Sequence, residues 1–122
     1  MVATEIVAEM SLRPFRRAIR HKLDVPLRVI VQKHGGIVIR EGRGTEISEC
    51  GMGVMAGVEL NVGEGLEIEF TLPYSSEPIR VSGAVRNRVG YRYGCEFITN
   101  GQAERKDVAR LRQALQTLGA LL

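Results

Sequence analysis

The residues of this chain best suited to bind a ligand lie in the stretch RPFRRAIRHK, from Arg13 to Lys22. It holds four arginines, one histidine and one lysine in ten residues, and no acidic residue. Residues 13–28 carry six cations against Asp24 alone, a balance of +5, whereas the net charge of the whole chain is +3. The rest of the chain is therefore negative by about two charges, and the positive charge is concentrated in one segment.

Arginine outnumbers lysine in this chain by 14 to 3. A guanidinium group is a planar fork that binds a phosphate or the edge of a guanine with two parallel hydrogen bonds, whereas a lysine ammonium is a point charge. The bias towards arginine favours a specific anion or base as the ligand. The alternative is a basic face that is simply solvated.

A second stretch of interest, TEISECGMGV, lies between two predicted extended segments. Ser48 and Gly51 are separated by two residues, Glu46 precedes the serine by two, and extended segments flank the stretch on both sides. Taken by itself, this spacing is typical of an ordinary turn or a β-bulge in a barrel.

The sequence contains no recognisable catalytic or metal-binding pattern. His21 and His34 lie in a basic run and in a glycine-rich turn, and the motifs GxSxG, HExxH and the Walker lysine motif are missing. Cys50 and Cys95 form no CxxC pair and are typical of small buried hydrophobic residues. We therefore predict no catalytic residues, no metal site and no cofactor, and a binding module rather than an enzyme.

Length and composition indicate one globular domain. The chain has 122 residues, of which 44% are hydrophobic and 25% are charged. No apolar run approaches the roughly 18 residues that span a bilayer. The first ten residues, MVATEIVAEM, contain two glutamates and lack the basic and apolar regions of a secretory signal. We expect a cytoplasmic protein without membrane insertion.

Six segments between Pro26 and Ile98 indicate β-strands, most of them by alternating hydrophobic and polar residues and GMGVMAG as a short apolar, glycine-rich run. The clearest places Leu66, Ile68 and Phe70 on one face. The segments are PLRVIV, IVIREGRGTEI with an interruption near EGRG, GMGVMAG, GLEIEFTL, IRVSGAVRNR and YRYGCEFI, the last with Tyr91, Tyr93, Cys95 and Phe97 on one face. Short strands joined by tight turns such as HGG predict a small antiparallel barrel, because closure protects their edges.

The period changes after residue 98. Five apolar residues follow spacings of three and four, namely Val108, Leu111, Leu115, Leu118 and Leu122. This stripe predicts an amphipathic helix at about 103–121 that packs on the barrel, with a partner-binding helix as the alternative. The domain plan is thus an N-terminal arm over 1–12, helical or disordered, a basic arm over 13–25, and a barrel over 26–98 ahead of the helix.

Taken together, Arg16 and Arg20 in RxxxR spacing and Ser48 and Gly51 in SxxG spacing resemble the PilZ domain, the bacterial receptor module for cyclic di-GMP. The stretches PLRV, ISECGMGV, VGEGLEIEFTLP, IRVSGAVRNR and YRYGCEF follow the order and spacing of PilZ strands, over roughly residues 14–115. The resemblance implies a mainly β protein. Its expected fold is a six-stranded antiparallel PilZ-type β-barrel with a C-terminal amphipathic α-helix.

The resemblance also implies which arginines hold the ligand. Arg16 and Arg20 would close on its phosphates or guanines, and Arg17 and Arg13 would add phosphate or stacking contacts. Arg13 and Arg17 satisfy RxxxR as well, but the distance from Arg20 to Pro26 matches the family pattern better.

In the second motif, the resemblance gives Ser48 a contact with the ligand and Gly51 the close backbone approach. The family has Asp or Asn at the first position of this motif, where this chain has Glu46. A glutamate can still accept hydrogen bonds from a guanine, but its carboxylate lies one methylene further out. More rotamer freedom is then lost on binding.

The function implied is a receptor that binds cyclic di-GMP without turnover, orders its arginine arm on binding, and signals to an unidentified protein controlling motility, adhesion or exopolysaccharide. The alternative is a PilZ-like interaction adaptor that has lost the ligand, and Glu46 is the residue that supports it. A third possibility, a nucleic-acid-binding barrel, is disfavoured because aromatic residues are only 5% of the chain. The sequence leaves open the oligomeric state and whether one or two ligands bind.

Overall fold

The structure is a computed structural model, and it describes residues 19–73, 75–98 and 109–117. Its strands are β1 (His21–Lys33), β2 (Gly36–Ile47), β3 (Gly51–Ala56), β4 (Gly65–Phe70), β5 (Ile79–Val89) and β6 (Arg92–Phe97). Helix α1 comprises residues 109–117 of the described chain. The expected six strands and the helical pattern after them are both confirmed.

The strands form a closed antiparallel barrel in the order β1-β2-β3-β6-β5-β4. Strand β1 closes it, because it pairs with β2 along its length and with β4 from Leu27, opposite Phe70, to Ile30, opposite Glu67. Closure gives each of the six strands a partner on both sides over at least part of its length, which protects backbone groups that short strands would otherwise expose.

Side chains that alternate along the strands fill the barrel. Leu66, Ile68 and Phe70 are buried, as their spacing predicts. Tyr93 is 2% exposed, whereas Tyr91, two residues earlier, is 58% exposed. The sequence pattern placed both tyrosines on one face of a strand, but Tyr91 lies in the turn before β6, outside the alternating pattern.

Strand β1 is longer than the sequence pattern suggested, because it begins at His21, five residues before Pro26. Strand β2 continues through EGRG, with an irregularity in its pairing with β3 between Gly44 and Glu46. The proline is accommodated because β4 pairs with β1 only from Leu27 onward, so one side of β1 has no described partner strand at Pro26. The last part of the predicted basic arm is therefore strand.

Glycines are needed where backbone segments turn or approach closely. The β1–β2 turn has φ of 55° at His34 and 76° at Gly35, the left-handed pair of a two-residue hairpin. A Cβ at Gly42 would lie 2.2 Å from the carbonyl oxygen of Met55, so no larger residue fits between β2 and β3 here. The HGG turn of the sequence is thus confirmed.

The loop after β3 is held to the barrel by Tyr93. Its hydroxyl donates to the carbonyl oxygen of Val58 at 2.5 Å and accepts from the N–H of Leu60 at 3.1 Å. The guanidinium of Arg88 donates to the carbonyl oxygen of Leu60 at 2.8 Å and lies 5.7 Å from the centre of the Tyr93 ring. A buried tyrosine therefore satisfies backbone groups that a loop would leave unpaired.

The described part of helix α1 packs two residues of the predicted apolar stripe on the barrel, while Val108, Leu118 and Leu122 lie outside the described residues. Leu111 is completely buried and Leu115 is 5% exposed, and both belong to the barrel core. Arg110 fixes one side of the helix by bonds to Glu77 at 3.0 Å and to the carbonyl oxygen of Pro78 at 3.2 Å. The predicted ends of this helix lie outside the described residues. Nothing helical in the described ranges has the length and apolar character needed to span a bilayer.

Candidate functional site

Arg20 lies at the entrance to β1, directly against the second motif. The β1–β2 ladder ends with His21 opposite Ile47 and Lys22 opposite Glu46, so Arg20 is one residue beyond its last pair. A guanidinium nitrogen of Arg20, Nη1, lies 3.5 Å from Oε1 of Glu46. The two motifs, 26 positions apart in the sequence, therefore meet through an ion pair.

Irregularities in both neighbouring ladders surround this pair. The register between β1 and β2 shifts between Lys22 and Val25, and that between β2 and β3 shifts between Gly44 and Glu46. Extra residues at such points bend a strand and re-aim its side chains. Glu46 directly follows the register shift in the β2–β3 ladder, and its partner Lys22 directly precedes the shift in the β1–β2 ladder. These two bulges therefore determine where the Glu46 carboxylate lies on the barrel surface.

Residues Ser48–Gly51 form a tight turn between β2 and β3, built around the Ser48 side chain. The hydroxyl oxygen accepts from the N–H of Cys50 at 3.1 Å and of Gly51 at 3.3 Å, and lies 3.4 Å from the Gly51 carbonyl oxygen, to which it donates. The backbone N–H of Ser48 donates to the same carbonyl at 2.9 Å. With 2% exposure, Ser48 shapes this turn in the described conformation.

The turn is anchored to β6. Gly51 pairs with Glu96, and the N–H of Phe97 donates to the carbonyl oxygen of Cys50 at 2.8 Å. Glu96 in turn accepts from Nε of Arg86 on β5 at 2.7 Å. The pairing with β6 thus holds the backbone that Gly51 presents.

Each of three carboxylates around the turn faces an arginine. Besides the pair of Glu46 with Arg20, Glu96 meets Arg86 at 2.7 Å and Glu49 meets Arg112 of α1 at 3.9 Å. All six side chains are at least one third exposed, so each pair contributes little to stability. Exposed pairs of this kind can exchange partners at low cost when an anion arrives.

The thiols near the turn are poorly suited to nucleophilic chemistry. Burial raises the pKa of Cys95 to about 12, and burial, followed by the charge of Glu49, raises the pKa of the half-buried Cys50. Cys95 is a buried free thiol, as the sequence suggested, whereas Cys50 is only partly buried. Among the described residues there is no group of three or more His, Cys, Asp or Glu side chains able to hold a metal ion.

The structure thus joins four of the six predicted site residues into two local units, Arg20 with Glu46, and Ser48 with Gly51. Arg16 and Arg17, like Arg13, lie outside the described residues. Lys22, opposite Glu46, adds a cation that sequence reasoning did not assign to the site. The alternation of Leu23, Val25 and Leu27 is the signal that could have placed it on β1.

Comparison with known proteins supports the fold. The chain superposes on the PilZ domain of CeSA from a cellulose-synthesizing bacterium with a TM-score of 0.63 and 18% identity, covering 80% of this chain and 98% of that one. The PilZ domain of Escherichia coli YcgR, solved with c-di-GMP, gives 0.60 and 15%, covering 85% and 93%. The Bacillus subtilis inhibitor of motility MotI/DgrA gives 0.57 and 17%, covering 83% of this chain and 52% of that one.

A search of curated protein sequences gave no significant match. The family comparison is decisive, because a model of the PilZ domain matches residues 13–114, which include both motifs, all six strands and most of the described helix. The spacing of Arg16 and Arg20 and of Ser48 and Gly51 had already suggested this family. The chain belongs to the PilZ domain family.

Proposed function

We propose that this protein is a receptor for cyclic di-GMP, which binds at Arg16, Arg17, Arg20, Glu46, Ser48 and Gly51 without being turned over. The observation that carries the proposal is the contact between Arg20 and Glu46 beside the Ser48–Gly51 turn, which joins both halves of the motif at one end of the barrel. The likeness to a YcgR domain solved with c-di-GMP supports the choice of ligand.

The chemistry of these residues suits this ligand. Cyclic di-GMP carries two phosphates and two guanines, and each guanine offers O6 and N7 as acceptors to a guanidinium fork. The carboxylate of Glu46 can accept hydrogen bonds from the guanine N1–H and N2–H groups. The glycine of the turn lets the ligand lie close to the backbone, which the Ser48 hydroxyl holds in place.

Binding requires Arg20 to share or leave its contact with Glu46. The pair is 3.5 Å long, with side-chain exposures of 43% and 36%, so it costs little to break. A phosphate offers Arg20 a stronger, charge-assisted bond, while Glu46 turns to a guanine. The ion pair then keeps the arginine near its bound position in the ligand-free protein.

The output of such a receptor is a changed surface rather than a chemical product. We propose that the ligand orders residues 13–20 of this bacterial, cytoplasmic receptor, and that an unidentified partner protein controlling motility, adhesion or exopolysaccharide recognises the ordered arm. Clustered arginines repel one another until an anion neutralises them, which is the physical reason for ordering on binding.

Isothermal titration calorimetry with cyclic di-GMP tests the proposal, with GTP and single-stranded DNA as controls. We expect saturable heat with cyclic di-GMP alone, and slower hydrogen exchange over residues 13–20 in the complex. A dissociation constant of about 100 μM corresponds to a binding free energy of roughly −5.5 kcal/mol. No detectable binding at this ligand concentration would contradict the proposal. Equal exchange with and without ligand would remove the ordering step.

One observation favours a second candidate, a protein-interaction adaptor that does not bind the ligand. Glu46 stands where the family has Asp or Asn, and its longer side chain reaches Arg20 and neutralises it. Similarity to an inhibitor of motility is compatible with this role. The calorimetry above separates the two candidates, because an adaptor gives no heat with cyclic di-GMP.

Substitutions of Glu46 show whether this residue performs the task of the family's Asp or Asn. We expect Glu46→Ala to weaken cyclic di-GMP binding about tenfold, since a hydrogen bond to a charged group contributes roughly 1.5 kcal/mol or more. Glu46→Asp should preserve or improve affinity, because it restores the shorter side chain. Dissociation constants from calorimetry at one salt concentration check both results.

The control is Glu49→Ala, because removing any carboxylate near an anionic ligand also relieves repulsion. Glu49 is in the same turn region, is 50% exposed and is likewise paired with an arginine. The Glu49→Ala substitution should leave the affinity for cyclic di-GMP unchanged or raise it slightly. If Glu46→Ala behaves as Glu49→Ala does, Glu46 makes no bond to the ligand.

A further inference from the structure

One strand of the barrel extends beyond its neighbour and leaves an edge open. Strand β2 pairs with β1 from Gly36 to Ile47, but its pairing with β3 begins only at Gly42. No described strand lies beside residues 36–41 on that side. The backbone groups of this edge that point away from β1 are therefore available to an added strand.

The side chains along this open edge are unusually apolar. Its central residues are Ile37, Val38 and Ile39, and the two isoleucines are 67% and 52% exposed. Proteins normally protect such edges with lysine, proline or a bulge, and residues 36–39 contain none of these. Val38, on the opposite face, packs partly against the core, which fixes the orientation of the edge.

We propose that this edge, residues 36–41 of β2, pairs antiparallel with the same edge of a second copy of the chain, giving a two-fold symmetric dimer with a continuous sheet. The sequence Ile-Val-Ile is the same in both directions, so it is complementary to itself when the pairing is centred on Val38. Ile37 of each copy then lies opposite Ile39 of the other, and Val38 lies opposite Val38.

This register also suits the residues that flank the apolar centre. Antiparallel pairing centred on Val38 places Arg40 opposite Gly36, so no two like charges face each other. The carbonyl oxygen of Ile39 accepts from the guanidinium of Arg40 at 3.0 Å, and this exposed bond must be given up when the second copy pairs with the edge. Pairs of β-branched side chains on both faces are the pairs that stabilise antiparallel sheets best.

A second copy is favoured over an unrelated peptide because the edge supplies its own complement. A closed two-fold interface uses the same patch on both chains, which is the commonest arrangement in homo-oligomers. The edge is also separate from the ligand site, since Glu46 lies five residues beyond Glu41 on β2, at least about 15 Å along an extended strand. Dimer formation and ligand binding can therefore be tested independently.

Sedimentation equilibrium between about 10 and 500 μM protein, without ligand, tests the proposal. The interface is small, so we expect a weak dimer whose dissociation constant falls in this range. Ile39→Lys should weaken dimerisation at least tenfold, because the added ammonium faces an apolar side chain of the partner. Val62→Lys is the matched control, because Val62 is also an exposed apolar residue, at 63%, but lies in the β3–β4 loop, away from the proposed interface. The Val62→Lys variant should dimerise as the wild type does.

A wild-type chain that stays monomeric over this range, or an Ile39→Lys dimer as strong as the wild type, overturns the proposal. Circular dichroism of both variants confirms that they fold, which is expected since both side chains are exposed.

A cysteine cross-linking experiment tests the register. Mixing Ile37→Cys with Ile39→Cys should give disulfide-linked dimers more readily than either variant alone, because these two positions face each other across the interface. Strongest cross-linking by Ile39→Cys alone would place the centre at Ile39 and overturn the proposed pairing. Unmodified protein controls for its native thiols Cys50 and Cys95.

Discussion

Replacing Arg20 with alanine is expected to weaken cyclic di-GMP binding by about 30-fold, or roughly 2 kcal/mol. The substitution removes a guanidinium that can form charge-assisted bonds with a phosphate or a guanine. The substitution also removes the cation that lies 3.5 Å from Glu46, so the Glu46 carboxylate repels the anionic ligand more strongly. Both effects act in the same direction, and calorimetry at fixed ionic strength measures their sum.

Arg80→Ala is the matched control for Arg20→Ala. Arg80 is 53% exposed, against 43% for Arg20, and is likewise paired with a glutamate, Glu67, but on β5 rather than at the site. The Arg80→Ala variant should bind cyclic di-GMP as tightly as the wild type does. The free energies of unfolding of both variants should lie within about 1 kcal/mol of the wild-type value, because exposed ion pairs stabilise proteins little. Equal affinities of the two variants would exclude Arg20 from the binding site.

Replacing Ser48 with alanine is expected to lower the free energy of unfolding by about 2 kcal/mol in the absence of ligand. The hydroxyl is buried and serves the N–H groups of Cys50 and Gly51, which would lose a hydrogen-bond partner in a site with little water. Urea denaturation followed by circular dichroism measures the loss. Ligand affinity should fall as well, because the turn that presents Gly51 becomes less well defined.

Ser76→Ala provides the comparison, since Ser76 is an exposed serine of the β4–β5 loop. Its free energy of unfolding should match that of the wild type. If Ser48→Ala is as stable as Ser76→Ala but loses affinity, the hydroxyl acts on the ligand directly and its bonds within the turn are incidental.

The sequence was sufficient to predict the strands, because the period-two pattern reports which side chains must leave water. Leu66, Ile68 and Phe70 alternate with charged residues, and only a half-buried strand satisfies that pattern. In the same way, the spacing of Leu111 and Leu115 predicted the helix face that packs on the core. The motif spacings, by resemblance, identified the family.

The sequence could not predict where local irregularities fall. The bulges beside Lys22 and Glu46 and the length of β1 depend on the registers of paired strands, which are settled between segments far apart in the chain. Tyr91 was placed on the same strand face as Tyr93, since only strand pairing shows that it lies in the turn before β6.

The residue types of the candidate site were determined by the sequence alone, whereas their relations were decided by the tertiary structure. That Glu46 meets Arg20 follows from the β1–β2 ladder, which brings residues 26 positions apart to within 3.5 Å. That the Ser48 hydroxyl turns inward follows from the backbone N–H groups it must satisfy in a buried turn. Local patterns encode burial, but contacts between distant segments depend on how the barrel closes.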